Sequence, residues 1–335
     1  MSVSSTTAPL AVEKQPGRLP LFRTEAAGDL AGWAQQHREA LAATVAEHGA
    51  VLVRGLGLRD ATEVAGLFAQ LSPGELLPER EAFAPRHAYA EGVYSSTKWP
   101  ANQPMCMHHE LSYTRQPPGL LLFACLTAPD QGGATALADA AAVHDALPTE
   151  LQDRFAREGW LLTRNYNDEI GASVADAFGT DDRAAVESYC RDNDIEFSWQ
   201  ADGGLRTRQR RAAVVRHPVA GRRCWFNQIA FLNQWTLAEE IREYLVDEYG
   251  EDGLPFNTSV GNGDPIDEEV VTLLNDLYDA HTIREPWQAG DLMLVDNLRM
   301  AHSREPFQGT REIVVAMADP IPLPQVLSFG AVGSF

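Results

Sequence analysis

The chain has little cysteine, a shortage of positive charge and no long apolar run, and each shortage removes a class of function. Only four cysteines, Cys106, Cys125, Cys190 and Cys224, occur in 335 residues, none in a C-x-x-C pair and each among apolar or aromatic neighbours. A disulfide-dense mini-fold is excluded, and four reduced structural thiols are expected. Lys plus Arg number 27 against 47 for Asp plus Glu, a net charge of −20. Such a surface repels phosphate backbones and anionic lipid, so neither nucleic acid nor membrane is an expected partner. The longest nearly apolar stretch, residues 119–128, is half of the ~20 residues a membrane span needs. The opening MSVSSTTAPL has neither the basic region nor the apolar core of a secretory signal, and a cytoplasmic location is expected. No G-x-G-x-x-G, no G-x-x-x-x-G-K-[ST] and no internal repeat occurs, which takes away the usual support for a nucleotide-binding fold.

What remains is an ordinary globular composition, 44% hydrophobic and 22% charged. No internal boundary stands out, so residues 19–320 are expected to form a single domain, between a mobile N-terminal arm, 1–18, and a C-terminal tail, 321–335. Leu30, Trp33, Ala34, Leu41 and Val45 recur at helical spacing before Gly49, which predicts a helix over 29–48. A β-branched strand at 50–54 follows, and then Asp60 and Glu63 in capping-box form open a second helix. Further strands are expected at 120–126, 225–231, 292–295 and 313–317. Helical patterns lie at 139–159, 183–192, 236–249 and 265–280, spaced too irregularly for a βα repeat.

Two His-x-acid pairs occur, His37 with Glu39 and His108 with Glu110. Roughly one such match arises by chance in a chain with nine histidines and 47 acids, so the pattern alone says little. Geometry separates the two. On a helix, residues i and i+2 diverge by about 200°, so His37 and Glu39 read as a solvated face. On a strand, i and i+2 share a face, so His108 and Glu110 can reach one ion while His109 points away as a structural residue. His302, just beyond a buried run at 290–297, is the candidate for the second imidazole of a two-His, one-carboxylate facial site, an arrangement that suits non-heme Fe(II). A helical zinc protease site fails, because no second histidine completes H-E-x-x-H; a hydrolytic zinc site from the same three residues stays open.

In order along the chain, 48–55 (HGAVLVRG), 93–97, His108-His-Glu110-Leu-Ser-Tyr113, Gly132-Gly-Ala-Thr135, His217-Pro-Val-Ala-Gly221, Trp225-Phe-Asn-Gln228, Gly290-Asp291, Asp296-Asn297 and 302–311 (HSREPFQGTR) together resemble the Fe(II)- and 2-oxoglutarate-dependent dioxygenases of the TauD/TfdA family. The clavaminate-synthase-like and SyrP-like branches are the most similar. The resemblance implies a mainly β fold with flanking helices around a double-stranded β-helix, or jelly-roll, core. It implies His108, Glu110 and His302 as metal ligands. It also implies that Thr135 and an arginine beyond His302 hold the distal carboxylate of 2-oxoglutarate. Arg304 and Arg311 are the only basic residues after His302; Arg311 is preferred because a turn through 306–309 returns it beside the metal-bearing segment, leaving Arg304 for substrate or for a structural ion pair. Two departures narrow the activity. The metal carboxylate is Glu rather than the Asp of taurine dioxygenase, and the position fourteen after His302 is Ala316, both against taurine as substrate. A carboxylate at position 110 also leaves no room for the halide of the family's halogenases.

The resemblance thus implies hydroxylation of an unactivated carbon, with Fe(II), 2-oxoglutarate and O₂, most simply of a free amino acid or derivative in specialised, antibiotic-type biosynthesis. A carrier-tethered substrate is the alternative presentation, and desaturation or cyclisation the alternative outcome. A zinc hydrolase and a non-catalytic jelly-roll binding protein are the rival classes. Arg206, Asn227 and Arg304, with Gln228, Arg164 and Tyr166, are polar groups in aromatic surroundings that can meet an amino acid's charged ends.

Overall fold

A computed structural model of the chain describes residues 11–323 except 26, 27, 73, 85 and 168. Its centre is the strand Pro118–Thr127, flanked on one side by Leu292–Asp296 and on the other by Glu312–Pro320, all antiparallel. Because successive side chains alternate between faces, this strand feeds two cores at once. Leu121, Phe123 and Cys125 face the jelly-roll interior with Met293, Val295, Ile313, Val315 and Met317. Leu122 and Ala124 face outward with Leu292, Leu294 and Val314, against Trp33, Leu41, Val64, Leu67 and Phe68 of the helices Leu30–His48 and Ala61–Leu71. A strand apolar on both faces reads as a continuous hydrophobic run, which is why this one was visible in the sequence.

Among the described residues the major sheet has eight strands. A minor sheet of four, Thr282–Ile283, Thr135–Asp139, Met300–Arg304 and Met105–His108 in that spatial order, lies across the interior core from it. The two sheets form the jelly roll and are not joined by hydrogen bonds into a closed barrel. A third sheet, built from Glu196–Trp199, Leu205–Arg211, Trp160–Tyr166 and Phe256–Val260, packs on Ala177, Phe178, Val186 and Cys190 as a separate lobe of core.

The helix starts were legible: Asp29 and Asp60 accept hydrogen bonds from first-turn amides, and Gly49 ends the first helix at φ 84 in the left-handed region. Other expectations are corrected. The helical pattern at 139–159 is two helices, Ala140–Ala146 and Thr149–Glu158, because Pro148 lacks an amide and forces the residue before it out of helical geometry. The strand expected at 225–231 stops at Trp225, where the Asn227 side chain accepts from the Ile229 amide and closes an Asx-type turn. His37 is buried against Trp33, with ring centroids 5.1 Å apart, and is no part of a solvated face. The described part of the expected mobile arm, 11–18, is fastened: Val12–Glu13 pairs with Leu21–Arg23, and Arg18 pairs with Glu285. Long-range ion pairs of this kind leave no local trace in a sequence. Residues 1–10 and 324–335, the rest of the arm and most of the tail, lie outside the described residues. All four cysteines are free thiols, and no helix among the described residues is long and apolar enough to cross a membrane.

Candidate metal centre

The strands Met105–His108 and Met300–Arg304 pair antiparallel with His302 directly opposite His108. Side chains facing one another across a ladder share a face, so two imidazoles remote in sequence stand side by side, ring centroids 4.2 Å apart. His302, expected just beyond the buried run at 290–297, sits on the next strand, Met300–Arg304, where its position is fixed by ladder pairing with His108 and Leu137. Glu110 was expected on the same strand as His108. The strand ends at His108, and Glu110 lies in the turn that follows, with Leu111 at φ 51. Candidate ligand atoms of His108, Glu110 and His302 all lie within 4.8 Å of one another, and all three residues are buried.

What strand alternation does not hold, Asn297 does. Its side-chain oxygen accepts from the Glu110 amide at 2.9 Å, while its nitrogen donates to the carbonyls of Glu110 at 2.9 Å and Pro118 at 2.8 Å. Its own carbonyl accepts from His109 Nδ1 at 2.6 Å, which is why His109 faces away from the metal site. Asn297→Ala strands three buried backbone groups at about 1–3 kcal/mol each. The expected loss of stability is about 3–9 kcal/mol, read as a lowered urea midpoint at constant slope. A loss below about 1 kcal/mol would show that the turn stands without this residue.

Electrostatics suit a divalent cation. His108 donates from Nδ1 to the Cys106 carbonyl at 2.8 Å, leaving the Nε2 lone pair free, and its ring stacks on Phe231 at 4.8 Å. Burial and the neighbouring His302 push His108 down to about 3, so the ring is neutral at physiological pH, as a ligand must be. Burial pushes the Glu110 carboxyl up, but the adjoining Arg86 guanidinium more than offsets it and holds the group ionised. His302 Nε2 stands 3.6 Å from Glu110 Oε2. Two imidazoles and one carboxylate form the donor set of non-heme iron, and the residues present fit that ion.

Beside the triad a cavity reaches between the sheets, lined by Arg86, Thr97, Phe123, Thr135, Arg304 and Arg311 among others. Arg311 donates to the Gly133 carbonyl at 2.9 Å and to Thr135 Oγ1 at 3.1 Å. Trp287 Nε1 donates to the same hydroxyl at 3.2 Å. Burial, reinforced by Arg304, pushes Arg311 down to about 10, still a cation at neutral pH. Among the described residues it has no carboxylate partner. A desolvated guanidinium served only by neutral acceptors is a site for an anion, so this end of the cavity fits a ligand carboxylate.

The residues expected to meet substrate lie differently. Arg206 is away from the cavity, paired with Asp252 at 2.8 Å, in a separate groove lined by Asn165, Trp235 and Asn257. Asn227 is buried, its amide given to the Ala213 carbonyl and its oxygen to the Ile229 amide. Gln228 donates to the His109 carbonyl, and Arg164 to the carbonyls of Glu81 and Ala82. Arg304 does line the cavity, but it donates to the carbonyls of Trp99, Pro100 and Gln103, which makes it the clamp of that loop rather than an ion-pair partner. Arg206 is held by a carboxylate, and the other four donors are taken by backbone carbonyls. Sequence reading missed Arg86 and Asn297: the first has no motif around it, and the second was noticed only as part of a matching segment.

With this geometry in place, comparison with known proteins is informative. A family model described as "Taurine catabolism dioxygenase TauD, TfdA family" matches residues 13–317. The chain belongs to that family. It is similar to the dapdiamide synthesis protein DdaC of Enterobacter agglomerans, 34% identical over 277 residues covering 83% of this chain and 84% of that one. It is also similar to a clavaminate synthase-like protein of Arabidopsis thaliana, 26% identical over 282 residues covering 81% and 82%. The fold matches PvcB of Pseudomonas aeruginosa, described as an Fe, alpha-ketoglutarate dependent oxygenase from an isonitrile synthetic pathway, at TM-score 0.54 and 14% identity over 95% of this chain and 94% of that one. The protein is accordingly an Fe(II)- and 2-oxoglutarate-dependent dioxygenase.

Proposed function

We propose that the enzyme hydroxylates an unactivated carbon of an amino acid or amino-acid derivative in specialised, antibiotic-type biosynthesis, in the cytoplasm. His108, Glu110 and His302 hold the iron, and Thr135 with Arg311 holds the far carboxylate of 2-oxoglutarate. The observation that carries this reading is the convergence of the buried His-Glu-His triad and an unpaired guanidinium on one cavity. Similarity to a dapdiamide synthesis protein favours a biosynthetic substrate over taurine.

When bound, Fe(II) with 2-oxoglutarate and O₂ supplies the oxidant: one oxygen atom goes into the C–H bond and the other leaves in succinate, with release of CO₂. The chain does the rest. His108 and His302 would offer imidazole lone pairs, and Glu110 would lower the charge of the centre. Arg311 and Thr135 orient a dicarboxylate by its far end, so that its reacting end faces the triad. Phe123 and Phe231 pack against the imidazole rings and keep water from the reacting face. Desaturation and cyclisation need the same groups and differ only in where the substrate's carbon sits.

The test is a panel of amino acids screened for substrate-triggered succinate release from 2-oxoglutarate, with Fe(II) and O₂ each omitted in turn. Succinate that appears with one or a few related amino acids, and needs both iron and oxygen, is the expected result. Activity that survives without oxygen and 2-oxoglutarate would identify a hydrolase instead.

A further inference from the structure

Arg86 is the one guanidinium of the cavity wall that touches the metal-ligand carboxylate. Its Nη2 lies 3.2 Å from Glu110 Oε1 and 3.3 Å from Glu110 Oε2. A donor nearly equidistant from both oxygens lies in the plane that bisects the carboxylate, the plane a metal must also enter to take both oxygens at once. Arg86 is itself held at the other end: Nε donates to Thr97 Oγ1 at 3.0 Å and lies 3.0 Å from Glu79 Oε1. The side chains of Arg86, Glu79 and Glu110 are 8%, 14% and 9% exposed, so water screens the row weakly. The Glu79 amide is in turn tied to the Tyr94 hydroxyl at 3.0 Å, which roots the row in the strand Val93–Ser95 of the major sheet.

From this arrangement we propose that Arg86 is a positioning residue that keeps Glu110 a one-oxygen ligand of the metal. The inference rests on the reading of His108, Glu110 and His302 as the iron ligands. Its consequence is a matter of counting positions. A facial triad leaves three open positions on a six-coordinate ion. 2-Oxoglutarate takes two, and one is left for oxygen. A carboxylate free to rotate can chelate, and its second oxygen would occupy that last position. A charge-assisted bond from a fixed guanidinium to both oxygens opposes this rotation, as partners behind the ligands of metal sites commonly do.

The experiment uses the full chain loaded with Mn(II), whose effect on water-proton relaxation reports how many exchangeable waters the ion carries. With Mn(II) and saturating 2-oxoglutarate, the native protein is expected to keep one inner-sphere water. Arg86→Gln is expected to lose that contribution almost entirely, while its affinity for Mn(II) stays equal or rises. Arg86→Lys, which restores the charge, is expected to recover part of the water signal. A native-like water signal in Arg86→Gln overturns the proposal. Should Arg86→Gln fail to fold, the double variant Glu79→Gln, Thr97→Val loosens the guanidinium without removing it; a partial loss of the water signal is expected, and a native-like signal again overturns the proposal. Failure of the native protein to bind Mn(II), or of Mn(II) to recruit 2-oxoglutarate, would strike at the ligand reading itself, a result distinct from an unchanged water count.

Discussion

His302→Ala is expected to abolish substrate-triggered succinate formation and to remove the weak visible charge-transfer band that Fe(II) and 2-oxoglutarate give together without oxygen. One imidazole is one of only three protein donors, so its loss should exceed the roughly 10–100-fold that removal of an outer partner costs. His108→Ala should behave in the same way, since the two rings face each other across one ladder. His37→Ala should leave band and succinate unchanged, because His37 is buried beside Trp33 on the helix Leu30–His48 and away from the cavity. A persistent band in His302→Ala, or its loss in His37→Ala, would reverse the ligand assignment.

The second large effect belongs to Arg311. Arg311→Met keeps much of the side-chain volume and removes the cation from the anion end of the cavity. Two charge-assisted hydrogen bonds to a carboxylate, at about 1.5–3 kcal/mol each, correspond to roughly 10²–10⁴-fold weaker binding. The expected result is that loss in 2-oxoglutarate affinity, followed through the same visible band at fixed Fe(II). Arg304→Met separates the two arginines. It frees three loop carbonyls and should lower thermal stability, while 2-oxoglutarate affinity changes by less than tenfold. The opposite ranking would move the anchor to Arg304.

Several elements were legible because their causes are local. Asp29 and Gly49 bracket the first helix through hydrogen bonds and a positive φ that a few neighbouring residues determine. The run at 120–126 announced a buried strand, which the structure extends to Pro118–Thr127. Order of motifs along the chain was enough to expose the family and its jelly-roll core, since those segments recur together for one chemical purpose. The surroundings of the substrate candidates were not legible, for the converse reason. Arg304 and Arg164 look available in sequence, but whether a donor is free depends on which carbonyls the fold brings within 3 Å of it, and these came from segments distant in the chain.

The sequence by itself offered two histidines and a glutamate as candidate donors and, through the family resemblance, an arginine beyond them, because chemistry restricts which side chains can ligate iron or receive a dicarboxylate. Only the tertiary structure decided that Glu110 reaches the site from a turn pinned by Asn297, that Arg86 stands behind it, and that Arg311 has no carboxylate partner among the described residues. Ligand identity is a property of one residue. Register, burial and the pairing of charges are properties of several segments at once, and they exist only after the sheets have closed on a common core.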